Sequence, residues 1–117
     1  MLRIGDFSKV CQVSVKALRY WDECDLLKPA QIDSDSGYRY YTIEQVSAVN
    51  RILAFRVMGL EIKQIKQLLD DDLQPQDIRA MLRLKQAELQ QQIENMTATL
   101  TVVESRLKQI ECEGELP

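Results

Sequence analysis

The chain has 117 residues, 45% of them hydrophobic, so it holds enough apolar material for one small helical core and an extension, not several domains. Fifteen basic against eighteen acidic side chains leave a net charge of −3, which excludes a uniformly basic coat for binding polyanions. That balance is uneven: residues 1–66 carry ten Lys and Arg against eight Asp and Glu, and residues 67–117 carry five against ten. Any polyanion reader therefore belongs in the first part, with affinity set by placement and by doubling through dimerisation. No apolar stretch approaches a membrane span and no signal peptide follows Met1, so a cytoplasmic protein with no membrane partner is expected.

Ile4 to Cys11 reads as a short helix, with Ile4, Phe7 and Val10 or Cys11 at helical spacing, and Gln12-Val13 leaves only a tight turn. A second helix runs from Ser14 to Cys24. At 100° per residue Ala17, Leu18, Trp21 and Cys24 gather on one side, and Lys16, Arg19 and Tyr20 fall within about 100° on the other. Ser14 is placed to cap this helix, which puts Lys16 and Arg19 in its leading half, the half that meets base edges in a helix-turn-helix. After Pro29, Ala30 to Ile32 and Tyr38-Arg39-Tyr40-Tyr41 form two short strands around the loop Asp33-Ser34-Asp35-Ser36-Gly37, a hairpin or wing. Alternation sets Tyr38 and Tyr40 on one face and Arg39 and Tyr41 on the other; one or two tyrosines pack inward, Tyr38 is a candidate for a phosphate, and Arg39 reaches out to another.

A third helix opens at Thr42, where Thr42-Ile43-Glu44-Gln45 has capping-box form, and runs to about Met58. Its stripe Val46, Val49, Leu53 and Val57 is expected to complete the core. A fourth helix spans Glu61 to about Asp70, and Asp70-Asp71-Asp72 marks a break. Pro75 suits the first turn of a long last helix. Its d positions are Leu82, Leu89, Met96, Val103 and Ile110, and its a positions Gln86, Ile93, Leu100 and Leu107. Eight of these nine are apolar, which calls for a partner helix, most simply that of a second copy. The fold class is mainly α: a winged helix-turn-helix over residues 1–72, a dimerisation coiled coil over 73–112, and 113–117 as a tail or a linker to an effector domain.

Four blocks, Ile4-Gly5-Asp6-Phe7-Ser8, Val13 through Asp22, Leu26-Leu27-Lys28-Pro29 and Ser36 through Tyr41, together resemble the MerR family of transcription regulators, with wording nearest its multidrug-sensing branch. The resemblance implies a homodimer, paired through antiparallel helices, on pseudo-palindromic promoter DNA. It implies distortion of an over-long spacer so that RNA polymerase holoenzyme can use the promoter. It also marks Arg56 as a phosphate contact, completing a DNA-binding set of Ser14, Lys16, Arg19, Tyr20, Tyr38, Arg39 and Arg56. Gln12 and Asp25 stand where the family has glycine, so both are expected at positive φ; Trp21 replaces a usual tyrosine, at the cost of a hydroxyl contact to the DNA backbone.

Other functions have little support. There is no histidine and no Gly-rich phosphate loop, so neither an enzyme nor a cofactor is expected. Cys11 and Cys24 read as small hydrophobes, and Cys112, where sensing relatives place thiols, stands alone, too few ligands for a soft metal. The competing reading is a coiled-coil interaction module or anti-activator without specific DNA binding.

Overall fold

The computed structural model describes residues 1–114; Glu115 to Pro117, most of the expected tail, lie outside the described residues. The elements are β1 (Leu2–Arg3), α1 (Ile4–Cys11), α2 (Val15–Glu23), β2 (Gln31–Ile32), β3 (Arg39–Tyr41), α3 (Gln45–Val57), α4 (Ile62–Leu68) and α5 (Pro75–Glu113). They fall into two units divided between Leu73 and Gln74.

Local chemistry sets the boundaries in the first unit. α1 ends because Gln12 adopts the left-handed region (φ 57°, ψ 41°) and returns its N–H to the Ser8 carbonyl. The Ser8 hydroxyl donates to the Val13 carbonyl, closing the turn. Ser14 then caps α2, its Oγ accepting from the Ala17 N–H at 3.0 Å. Past α2 the chain reverses through Asp25, also left-handed at φ 58°, and the N–H of Leu26 donates to the Trp21 carbonyl at 2.8 Å. The two positive φ values fall where the missing glycines pointed.

The sheet has the order β1-β3-β2 and is antiparallel, with Leu2 opposite Tyr41, Arg3 opposite Tyr40 and Ile32 opposite Arg39. At the wing tip Asp33 Oδ1 accepts from the N–H groups of Asp35 (2.8 Å) and Ser36 (3.1 Å), and Gly37 takes the positive φ that lets the hairpin close. Those two backbone donors hold the Asp33 carboxyl below its ordinary range.

α3 differs from expectation at both ends of its argument. It starts three residues later than the Thr42 motif suggests, because only half of the capping box forms: Gln45 Oε1 accepts from the Thr42 N–H at 2.9 Å, while Gln45 Nε2 donates to the Lys28 carbonyl at 2.7 Å. The buried face is Val49 and Ile52; Val46 and Leu53 are half-buried and Val57 is 89% exposed. Two helical stripes pass through Val49, one stepping by four to Leu53 and one by three to Ile52, and packing against α1 and α4 selects the second. Arg51 Nη2 donates to the Leu68 carbonyl at 3.1 Å, satisfying an end of α4 from α3.

The core of this unit is Phe7, Leu18, Trp21, Tyr41, Val49, Ile52, Ile65 and Leu68, all fully buried. Phe7 and Tyr41 stack at 4.6 Å with rings 7° from parallel. The Tyr41 hydroxyl finds no partner among the described residues, and burial pushes its ionisation up. Trp21 is 1% exposed, so its indole packs into this core.

The second unit is one 39-residue helix with Pro75 at its first turn and Gly114 at φ 74° as its left-handed C-cap. Thr97, Thr99 and Thr101 return their hydroxyls to the carbonyls four residues back. None of its residues is buried. Leu89, Ile93, Met96, Leu100, Val103 and Leu107 of the apolar seam are between 42% and 75% exposed, and only Leu82 and Ile110 are half-covered.

Candidate nucleic-acid interface

α2 is held as a two-sided ridge. Leu18, Trp21 and Asp22 face the interior, so Lys16, Arg19 and Tyr20 face solvent, with Tyr20 51% exposed. The Cys24 thiol one turn on and the charge of Glu23 push the phenol's ionisation up.

On either side of this ridge lies a cleft of about 390 Å³. One is lined by Ser14, Lys16, Ala17, Tyr20 and Trp21 of the α2 segment together with Arg56 from α3 and Ile62 from α4. The structure thus joins Arg56 to Ser14, Lys16 and Tyr20, across about forty residues of sequence. The other cleft is lined by Arg3, Ile4, Gly5 and Asp6 opposite Arg19, with Tyr38 and Arg39 from the wing. All seven residues expected from the sequence border one cleft or the other.

Arg39 does not reach freely outward as expected. Its Nε donates to Asp22 Oδ2 at 3.0 Å, and Lys28 Nζ reaches Asp22 Oδ1 at 3.0 Å and Asp25 Oδ1 at 2.9 Å. The reason lies in the pleat: Arg39 shares its strand face with Tyr41, which is in the core, so the guanidinium leans towards α2 and finds the carboxylate there. Asp22 is 8% exposed; burial alone raises its pKa, but the hydrogen bonds and charges of Lys28 and Arg39 outweigh this and hold the carboxyl below its usual range. The pair therefore pins the wing to α2, and Arg39 remains a lining residue of the cleft.

The sequence reading missed Arg3. Its guanidinium carbon sits 4.3 Å from the centroid of the Tyr38 ring, on the side of the wing away from the core. The only early signal was a cation directly before a helix start, which by itself says nothing.

Elsewhere, Cys11 is buried, which raises its thiol, Cys24 is half-buried and Cys112 exposed, and all three are free. No helix among the described residues is long and apolar enough to cross a membrane.

Residues 2–72 match the family described as MerR HTH family regulatory protein, and residues 46–110 match the one described as MerR, DNA binding. The chain belongs to the MerR family. Among its relatives the multidrug-efflux transporter 1 regulator of Bacillus subtilis is 33% identical over 108 residues, covering 90% of this chain and 38% of that protein. The transcriptional regulator BrlR of Pseudomonas aeruginosa is 39% identical over 98 residues, covering 80% and 35%. The regulator HmrR of Sinorhizobium medicae is 33% identical over 121 residues, covering 97% of this chain and 78% of the relative. This MerR-family chain thus spans well under half of the first two relatives and most of the third. Among solved structures, EcmrR in its DNA complex superposes with a TM-score of 0.86 at 32% identity, over 97% of this chain and 41% of that one. The N-terminal part of the Bacillus subtilis activator Mta, at 24% identity and a TM-score of 0.77, shares the fold.

Proposed function

We propose that the chain binds promoter DNA as a homodimer and distorts an over-long spacer, so controlling access by RNA polymerase holoenzyme. The observation that carries this reading is the arrangement around α2: a ridge bearing Lys16, Arg19 and Tyr20 between two clefts, one offering Arg56 and the other Tyr38 and Arg39. A ridge of that kind fits the major groove, and flanking cations fit the phosphates on either side. The DNA-bound EcmrR, to which nearly the whole chain is similar, supports the same reading.

Dimerisation follows from the exposed seam of α5. Charge favours antiparallel pairing. Arg83 and Lys85 flank the seam near the start of the helix, and Glu104, Glu111 and Glu113 flank it near the end alongside Arg106. Antiparallel helices set the basic end of one against the acidic end of the other, whereas parallel helices set like against like. The reading assigns the chain no catalytic step, and places it in the cytoplasm with the DNA.

The test combines binding with transcription. The affinity of the 117-residue chain for a promoter duplex falls steeply with salt as counterions compete. In transcription in vitro on promoters of two spacer lengths, the longer spacer is activated, with footprints showing distortion at its centre. Tight binding without distortion or effect at either length reduces the protein to a plain winged-helix binder; a stable dimer with no duplex affinity supports the interaction module instead.

A further inference from the structure

β1 is only two residues long, yet its pairing with β3 fixes which way Arg3 points. Leu2 lies opposite Tyr41 and is half-buried, so the next residue, Arg3, takes the opposite face beside Tyr40. Tyr38 is two residues along the same face of the wing, within reach of a long side chain. There Arg3 lies against the Tyr38 ring, 4.3 Å from its centroid, with Tyr40 opposite it on β3. A guanidinium seated this way uses its flat face on the ring and keeps its in-plane N–H groups for an oxyanion.

The cleft in front of it is short of negative charge. Arg3, Arg19 and Arg39 line it, and Asp6 is the one acid among its lining residues. Asp22, the nearby carboxylate, is committed to Arg39 and Lys28, and Arg19 has no ion pair among the described residues. Resting on the promoter-binding reading above, we propose that Arg3 binds a backbone phosphate of the duplex read by α2, with Tyr38 as the seat that orients it. The first strand of the chain thereby joins the wing and α2 in holding DNA.

The experiment measures affinity against salt for one promoter duplex and one unrelated duplex, with thermal melts of each variant as a control. Arg3→Ala weakens both duplexes alike and lowers the salt slope by about 1 per protomer. Arg3→Gln, which keeps the stem, does the same and covers any loss of folding in the alanine variant. Tyr38→Phe keeps the ring that seats Arg3 and so loses less affinity than Tyr38→Leu, which loses at least as much as Arg3→Ala, and the double variant Arg3→Ala with Tyr38→Leu is no worse than Tyr38→Leu alone. An unchanged slope in both Arg3 variants, in a protein whose wild type binds with a normal salt dependence, overturns this inference and leaves the promoter reading standing. Equal losses in Tyr38→Phe and Tyr38→Leu overturn the seat, because the hydroxyl is then the contact. Loss on the promoter duplex alone also overturns the phosphate assignment. Wild-type protein that binds no duplex removes the promoter reading itself.

Discussion

Within residues 1–73 eight large side chains are sealed from solvent, whereas α5, at 39 residues more than half as long as that whole unit, buries none. The first region closes its own hydrophobic core, pins the wing to α2 through a buried carboxylate and caps its helices locally. The second has an apolar stripe left open along its length. A helix gains most of its stability from packing an amphipathic face, so the two regions stand on different footing: the first packs a core of its own, and the second has its apolar face open to the partner that the proposed dimer supplies. The proposed function divides the same way, since reading a groove needs a rigid ridge, and spanning two half-sites needs two of them held at a fixed distance.

The strongest way to break this contrast is at the centre of the seam. Leu100→Asp places a carboxylate from each copy where an apolar contact forms, and its burial without a partner costs several kcal/mol. The dissociation constant of the dimer is expected to rise by at least about 100-fold. Sedimentation shows wild type as a dimer and the variant as a monomer at micromolar concentration, and far-ultraviolet circular dichroism at that concentration shows less helix in the variant. Wild-type protein that sediments as a monomer removes the premise.

Inside the first unit the corresponding fault line is Asp22. Asp22→Asn takes a carboxylate from Arg39 and Lys28, and a hydrogen bond to a charged group is worth about 1.5–3 kcal/mol, so the melt falls while dimerisation stays. The sign of the pH dependence follows from the depressed carboxyl. The native state favours the ionised form, so its contribution is present above the unfolded value of about 3.9 and is lost as pH falls through the lower folded value. Acid titration of stability therefore shows a limb in wild type that the asparagine variant lacks. Identical acid limbs mean that the ion pair does not form in solution.

A smaller contrast separates the two arginines of the interface. Arg19→Ala, at an exposed position on the ridge, weakens specific binding by about 1–3 kcal/mol if it reads a base edge, and leaves the melt unchanged. Arg39→Ala weakens all duplexes alike, flattens the salt slope and also lowers the melt, because it leaves Asp22 with Lys28 alone. Unchanged affinity in both argues for the interaction module.

What was legible beforehand depended on how local its cause is. Ser14 as a cap, Gln12 and Asp25 at positive φ, and Pro75 at the start of α5 each follow from chemistry within a few residues, and the structure has them so. The exposed seam was legible because a heptad repeat is long and regular. β1 was not, since two residues have no period, and with it went Arg3. The face of α3 was misjudged because Leu53 and Ile52 continue equally good stripes from Val49, and the choice lies with α1 and α4. Arg39 is the instructive case: alternation grouped it with Tyr41, but only the stack of Tyr41 on Phe7 reveals that this face is the inner one.

The smallest effect tests the strain stored in the first unit. Gln12 and Asp25 adopt nearly the same left-handed φ, 57° and 58°, but Gln is a poor occupant of that region and Asp a tolerated one. Gln12 is exposed and donates its backbone N–H to the Ser8 carbonyl, which glycine keeps, so Gln12→Gly relieves the clash between its Cβ and the backbone while the freer unfolded chain offsets part of the gain. A net stabilisation of about 0.5–1 kcal/mol is expected in urea melts. Asp25→Gly gains less, because it starts with less strain and gives up the contact to Lys28 at 2.9 Å. Neither substitution touches α5, so the dimer's dissociation constant stays fixed while the melt of the first unit moves. If the two variants gain equally, the ion pair of Asp25 contributes nothing; if Gln12→Gly destabilises the protein, the αL turn is not under strain.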